Sequence, residues 1–493
     1  MENKERSDSY SHVLKYTSLF GGIQGVVILI GLVRNKAMAL LLGAGGMGFA
    51  SLMSTMQNFA SQCTNLGLSF GAVPRLSEDF QQQKQRRLRH SIMVLRLWSL
   101  IAAVLGLLFC LLLSPFVDKV SFRWGNHTLH YAMLGFSVSM MALSNGETAI
   151  LKATRQVGTL ARIQVLTVVA GVFISIPLYY FFRHSGVVPA LVLMAFSSML
   201  LTMRYSYRSY PLRLSFRKSM LREGASMLKV GLAFVLAAAI GSGSEMFVRS
   251  FLNVEGDMDA IGFYNAAYMI SITYAGMVFS SMESDFFPRL SAVSKDVCAT
   301  NETVNKQIEV SLLILSPMLV ALLTMLPVLV PLLFTADFFP VVGMAQLALL
   351  AMYFKVLTLP VAYITLARSA SLSFLLLETL YFVFFVVAMV FGFMQWGIYG
   401  TGVAIVAAHV FDYLLINCYA YRRYGYRCTL TIGRYVFVQL SIGLLAFLVS
   451  LYADGWLYWI TEAALTIAST AYSVSVLRSK TRLWEALLHK FGF

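Results

Sequence analysis

Residues 92–116 read IMVLRLWSLIAAVLGLLFCLLLSPF, an unbroken apolar run with one charge, Arg96. A bilayer core of about 30 Å takes about 20 helical residues to cross, and this run exceeds that. Backbone polar groups in hydrocarbon must be satisfied within the segment, which selects a helix. The stretch Val310–Phe334 has the same character. The whole 493-residue chain follows suit, at 58% hydrophobic, 12% charged and mean hydropathy +0.72. Soluble domains carry about 25% charged residues. A disordered protein, a disulfide scaffold and an ordinary soluble enzyme are thereby excluded. The expected class is an all-α polytopic membrane protein.

Hydropathy places about fourteen transmembrane helices, at 17–43, 46–69, 92–114, 129–150, 163–182, 185–203, 226–252, 260–281, 310–332, 340–364, 373–393, 397–417, 435–452 and 456–477. Loops on the side of the N-terminus, with the tails, carry 29 Lys/Arg, against three on the other side (Lys119, Arg123 and Arg183). The positive-inside rule then puts both termini in the cytoplasm. The same rule accounts for the net charge of +15 without nucleic acid as a partner. Residues 1–15 are polar and no cleavage pattern follows, so no signal peptide is expected. The stretch Gln81–His90 (QQQKQRRLRH) reads as a solvated loop or interfacial helix near anionic lipid.

The chain repeats itself at an offset of 214 residues. Leu14-Lys15 with Phe20 returns as Leu228-Lys229 with Phe234, and Gly48-Phe49 as Gly262-Phe263. Pro74-Arg75-Leu76-Ser77 returns as Pro288-Arg289-Leu290-Ser291, Gly186 as Gly400, and Tyr205-x-Tyr207-Arg208 as Tyr419-x-Tyr421-Arg422. Two six-helix lobes follow, 12–208 and 226–422, after a cytoplasmic tail at 1–11. A basic linker, 209–225, joins them. Two additional helices occupy 423–477, and an amphipathic tail, 478–493, carries Leu483, Trp484, Leu487 and Leu488 on one side. An even number of helices per lobe makes the repeat parallel. Secondary transporters of this build hold substrate between the lobes and alternate access by rocking.

Charges inside the membrane cost about 2.5–3.5 kcal/mol and mark functional positions. The candidates for a cationic, anion-binding cavity are Arg34, Arg249, Lys36 and Lys355. Arg249 lies one residue from the repeat partner of Arg34; Glu245, four residues before it, offers a local ion pair as the competing reading. The acids Asp412, Glu378, Glu245 and Glu147 are candidates for ion coupling, against the reading of ion pairs within a lobe. Asp412 and Glu378 align with Ser198 and Gln164, so those charges belong to the second lobe alone.

No catalytic residue, cofactor or metal site is expected. Walker A and HExxH motifs are absent. Gly67-Leu68-Ser69-Phe70-Gly71 matches GxSxG, but a nucleophile elbow needs a strand-to-helix turn and this stretch ends a membrane helix. The histidines His12, His90, His127, His130, His184 and His489 are scattered over loops, termini and helix ends, and His409 stands within a span. The five cysteines have no ligand spacing and read as small apolar residues.

The run from Arg34 to Phe49, RNKAMALLLGAGGMGF, resembles the first-helix signature of bacterial polysaccharide flippases, members of the multidrug/oligosaccharidyl-lipid/polysaccharide exporter superfamily. Leu66-Gly67-Leu68 and Val73-Pro74-Arg75-Leu76-Ser77-Glu78 look like the end of the second helix in that family. The resemblance implies a flippase in the bacterial inner membrane. Its substrate would be an undecaprenyl-diphosphate-linked oligosaccharide, moved from inner to outer leaflet. Membrane lipids and the polysaccharide polymerase machinery are the implied partners. Arg34 looks like a cavity arginine of the related lipid II flippases. Their second-helix arginine has no counterpart between Gln57 and Thr64, which favours an O-antigen, capsule or exopolysaccharide repeat unit. A cation-coupled multidrug exporter of the same superfamily is the first alternative, and would favour acidic or aromatic cavity walls. A membrane-embedded glycosyltransferase or polymerase is the second. It would need a long outer loop, whereas the longest here is 115–128.

Overall fold

Gly43 breaks the first helix, α1 (Glu2–Thr64), into limbs 2–42 and 44–64, with φ 68° and ψ −168°. That backbone region suits glycine, because a side chain there meets the neighbouring carbonyl. The break between the expected spans 17–43 and 46–69 is thus a one-residue hinge. The computed structural model describes residues 2–121, 126–212, 218–274, 276, 279, 286–287, 289–368 and 370–480. Among them every regular element is helical. Nine stretches of the described residues are long and apolar enough to cross a membrane, and three of these (25–64, 158–209 and 371–424) each hold two helices. With Thr128–Ala153 and Met258–Tyr268 (α8), helices stand at all fourteen predicted spans. The stripe Leu483–Leu488 and linker residues 213–217 lie outside the described residues.

Contacts divide the chain into Met1–Gly262 and Phe263–Phe493. In the first unit, α1 is followed by α2 (Leu68–Gln81), α3 (Gln85–Ser121), α4 (Thr128–Ala153), α5 (Val157–Phe182), α6 (Val187–Ser209) and α7 (Lys218–Glu255). The second predicted span runs to 69, but the helix ends at Thr64, with Leu66 (φ 55°) and Gly67 (φ 67°) turning the chain. The reason is the pattern that follows. Leu68, Ala72 and Leu76, four residues apart, are buried, while Pro74, Arg75 and Glu78 are exposed, so α2 is amphipathic and separate. The GxSxG match falls where α1 turns into α2, with no strand beside it.

Lipid supplies no hydrophobic drive between helices, so close approach of small residues and buried hydrogen bonds hold them. Gly106 on α3 and Gly135 on α4 face Val138 and Cys110 with no room for a side chain. Gly146 lies against the Ser99 hydroxyl. The repeat-related Gly48 and Gly262 meet in the same unit: a Cβ on Gly48 would lie 2.0 Å from the Met258 carbonyl, and one on Gly262 would lie 2.0 Å from that of Ala44. Residue 258 is itself the repeat partner of 44, so the crossing treats both copies alike. Large apolar side chains such as Leu112 (76% exposed) and Phe173 (75%) point outward, as lipid-facing residues do.

The second unit is centred on α9 (Val297–Leu333) and α10 (Val342–Ala367). Most residues of Val342–Ala367 are buried, whereas most of Ser371–Tyr424 are not. The Asp296 side chain caps α9 by accepting from the Cys298 and Ala299 amides. α11 (Ser371–Tyr424) breaks at Trp396–Gly397; α12 (Leu430–Tyr452) and α13 (Gly455–Lys480) pack on α9. The Thr324 hydroxyl donates to Glu462 Oε2 (2.8 Å), and the Tyr458 hydroxyl donates to the Thr324 carbonyl (2.7 Å). Gln439 bonds Ser469 and Ser473 at 2.7 and 2.8 Å. These polar bonds fasten the two helices that stand outside the repeat.

The repeat is written in backbone angles too. Arg183 (φ 53°, ψ −132°) joins α5 to α6, and its partner Gly397 (φ 58°, ψ −139°) joins the two limbs of α11. Three residues on, Gly186 approaches the Leu178 carbonyl and Gly400 the Gly392 carbonyl, contacts again displaced by 214.

Candidate functional site

Arg34 lies nine residues before the Gly43 hinge, about 13 Å along the helix and hence near mid-membrane. It is half-buried. Its Nη1 reaches the thioether of Met194 on α6 at 3.8 Å, a weak acceptor. Gly171 on α5 stands opposite, where an added Cβ would lie 4.0 Å from the same nitrogen, so glycine keeps that side open. Among the described residues Arg34 meets no carboxylate. Lys36 is also half-buried, about 200° around the helix from Arg34. Gln57, in the stretch without a basic residue, is buried and donates to the Met141 sulfur at 3.0 Å.

Arg249 has different surroundings. It is buried, its Nε donates to the Ser51 hydroxyl at 3.0 Å, and its Nη1 donates to Glu245 Oε2 at 3.1 Å. The local ion pair weighed from the spacing is formed here. Glu147 is also held. Arg96 binds both of its carboxylate oxygens, at 2.7 and 3.0 Å, and the Ser206 hydroxyl donates to it at 2.6 Å. Arg96 further donates to the carbonyls of Tyr210 and Pro211 and lies over the Tyr207 ring. It therefore caps the last turn of α6 and ties the start of the linker to α3.

In the second unit Lys355, Glu378 and Asp412 come together with His409. The charge of Lys355 is felt at all three others, and Glu378 and Asp412 also act on each other. Lys355 comes from α10 and lies 5.9 Å from the Phe279 ring. Glu378 and Asp412 come from the two antiparallel limbs of α11, and Tyr381 and His409 meet across those limbs at 5.9 Å. Lys355, Glu378 and Asp412 are half-buried, and His409 is buried. Two acids face one ammonium, a group able to exchange a proton or cation.

Two features escape the sequence reading. Arg96 appears there only as a charge within a span, although Glu147, Tyr210 and Pro211 converge on it. The histidines, expected to be scattered, include three that share one cavity of about 420 Å³: His127, His130 and His184, with Phe49 and Met258. The His127 and His130 rings are 5.3 Å apart. Their three-residue spacing was the visible signal; the approach of His184 was not readable, since it depends on how α5 and α6 pack. Among the described residues no group of His, Cys, Asp and Glu is arranged to hold a metal ion.

Comparison with known proteins places this geometry. The profile of a family described as "Polysaccharide biosynthesis protein" matches residues 37–343. No curated protein matches. Among solved structures, an inward-facing multidrug resistance MATE family transporter of the MOP superfamily is similar with TM-score 0.65 and 14% identity, over 81% of this chain and 94% of that one. The lipid II flippase MurJ in its inward closed conformation is similar with TM-score 0.61 and 15% identity, over 94% and 99%. A MOP superfamily transporter from Pyrococcus furiosus, whose binding pocket has reversed polarity, is similar with TM-score 0.59 and 14% identity, over 83% and 96%. At such identities the likeness concerns the fold, and the family rests on the profile match. The chain belongs to the polysaccharide biosynthesis protein family, built on the fold of the MOP superfamily transporters.

Proposed function

We propose that this protein is a flippase for undecaprenyl-diphosphate-linked oligosaccharide repeat units in the bacterial cytoplasmic membrane, with both termini in the cytoplasm. The single observation that carries the reading is Arg34: a half-buried guanidinium near mid-membrane that hydrogen-bonds a thioether, has the Tyr179 phenol nearby and meets no carboxylate among the described residues. An uncompensated cation at that depth costs about 2.5–3.5 kcal/mol and is matched by an anion that comes and goes. A diphosphate is such an anion, and guanidinium offers it bidentate hydrogen bonds. The lipid tail stays in hydrocarbon while the head group swings between the lobes 12–208 and 226–422. No bond is made or broken, so the activity is transport rather than catalysis. O-antigen, capsule or exopolysaccharide units are the substrates, delivered to a polymerase on the outer side.

The Lys355–Glu378–Asp412 group supplies the coupling ion in this reading, binding a proton or cation as the lobes exchange access. The acidic cluster also favours a second reading, the cation-coupled drug exporter. One experiment separates them. In cells depleted of the endogenous protein, Arg34→Ala is expected to lower surface polysaccharide at least about tenfold, with lipid-linked oligosaccharide accumulating, while membrane insertion is unchanged or improved. Arg34→Lys keeps part of the export. Unchanged export in Arg34→Ala overturns the reading.

A further inference from the structure

A cavity of about 880 Å³, which Arg34 does not line, lies among the ends of α2, α3, α4 and α6 on the side of the basic loops. Its floor is apolar, made by Leu88, Ile92 and Met93 of α3. Arg89 and Arg155 stand on its rim, both exposed, and neither side chain has a hydrogen bond or ion pair among the described residues. The deeper Arg96 is committed to Glu147 and two carbonyls. Asp79 also lines the cavity and accepts from the Ser91 hydroxyl at 2.9 Å. Two uncommitted cations and one acid leave a surplus of one positive charge.

The backbone at the rim is unusual. The Arg155 amide bonds the Lys152 carbonyl and the Gln156 amide bonds that of Leu151, the paired bonds that close a helix through a left-handed residue. That residue is Arg155, at φ 55°. The same motif ends α2: Gln83 bonds Phe80, Lys84 bonds Asp79, and the left-handed residue is Gln83, at φ 54°. Glycine is the favoured residue there, and Gly425 occupies such a position after α11.

We propose that this cavity holds the phosphodiester head group of an anionic phospholipid from the leaflet facing the basic loops, with Arg89 and Arg155 as its ligands. A phosphodiester carries one negative charge, which the surplus matches. The apolar floor takes the glycerol and the first methylenes of the chains. The site is separate from the proposed transport pathway and does not depend on its substrate.

The test uses the full-length protein in nanodiscs of phosphatidylcholine with increasing phosphatidylglycerol, and counts retained phosphatidylglycerol by native mass spectrometry. Arg155→Gly removes the cation while installing the residue the backbone favours, so loss of fold cannot explain its result. Arg89→Gln removes the other. Each is expected to weaken retention of one lipid about fivefold. Arg86→Gln with Arg87→Gln, outside the cavity, is expected to leave it within about twofold. Soluble glycerol 1-phosphate distinguishes the sources: failure to displace the lipid assigns the site to an anchored head group, and displacement at equal concentration overturns that assignment in favour of a free phosphate. Equal retention by wild type, Arg155→Gly and Arg89→Gln overturns the proposal, as does an equal loss in the Arg86/Arg87 variant.

Discussion

Glu147 in the first unit and Glu378 in the second both stand inside membrane helices, yet one is locked and the other is not. Glu147 is gripped by Arg96 through two hydrogen bonds and by Ser206 through a third. Glu378 makes no hydrogen bond or close ion pair among the described residues; Lys355 acts on it from a distance, and it acts on Asp412. The two are not repeat partners, since Glu147 aligns with Val361 and Glu378 with Gln164, so each unit has placed its own acid. A fully satisfied pair holds structure. A group with two acids for one base is left to titrate or bind an ion.

The largest expected effect breaks the locked pair. Glu147→Ala leaves a buried guanidinium without its counter-charge, which costs about 3–5 kcal/mol. A thermal melt of the purified protein should show it, and Glu147→Leu with Arg96→Met should recover much of the loss. Glu378→Gln should behave in the opposite way. It removes a loosely held membrane carboxyl, so stability is kept or raised while ion-coupled export falls. Equal stability losses in Glu147→Ala and Glu378→Gln would end the distinction.

A smaller effect sharpens the comparison at the backbone. Gly397 and Arg183 adopt the same positive-φ geometry in the two copies. Gly397→Ala should destabilise by about 1–3 kcal/mol, and Arg183→Gly should stabilise by about 1 kcal/mol. If Arg183→Gly also melts lower, the arginine side chain, whose Nη1 reaches the Leu41 carbonyl at 3.4 Å, outweighs the strain.

The helix count and the repeat were legible because hydropathy and a fixed offset need no knowledge of packing. Even Gly186 and Gly400 gave themselves away as a pair. Which charges are satisfied was not legible in the same way. The i,i+4 spacing of Glu245 and Arg249 announced their ion pair, since helix geometry alone brings them together. Arg96 and Glu147 are 51 residues apart, and their meeting depends on how α3 crosses α4. The packing boundary differs from the repeat boundary for the same reason. α7 begins the second copy in sequence but lies on α1, α2 and α3, so contacts place it with Met1–Gly262. The hinge at Gly43 was readable as a turn, although its reduction to one residue was not.

The smallest expected effect concerns the histidine cavity, a feature described in the first unit alone. His127 precedes α4 and lies outside the spans. Burial pushes its pKa below the ordinary 6.5, the neighbouring His130 adds to this, and Asp118 opposes it. Asp118 is already engaged, accepting from the His127 amide at 3.0 Å and the Thr128 hydroxyl at 2.9 Å. A depressed histidine pKa means that the folded protein binds fewer protons than the unfolded chain. Its contribution to stability is therefore complete above about pH 6.5 and is lost as pH falls through the folded pKa. Between about pH 7.5 and about pH 5.5 the wild type should lose more melting temperature than His127→Asn, by about 1–2 °C. His184→Asn, across the cavity, should change that difference less, because His130 and Asp118 are the charges that act on His127. Identical pH profiles for wild type and His127→Asn would show that the ring is wet and unperturbed, and that the acid response of this unit comes from its carboxylates.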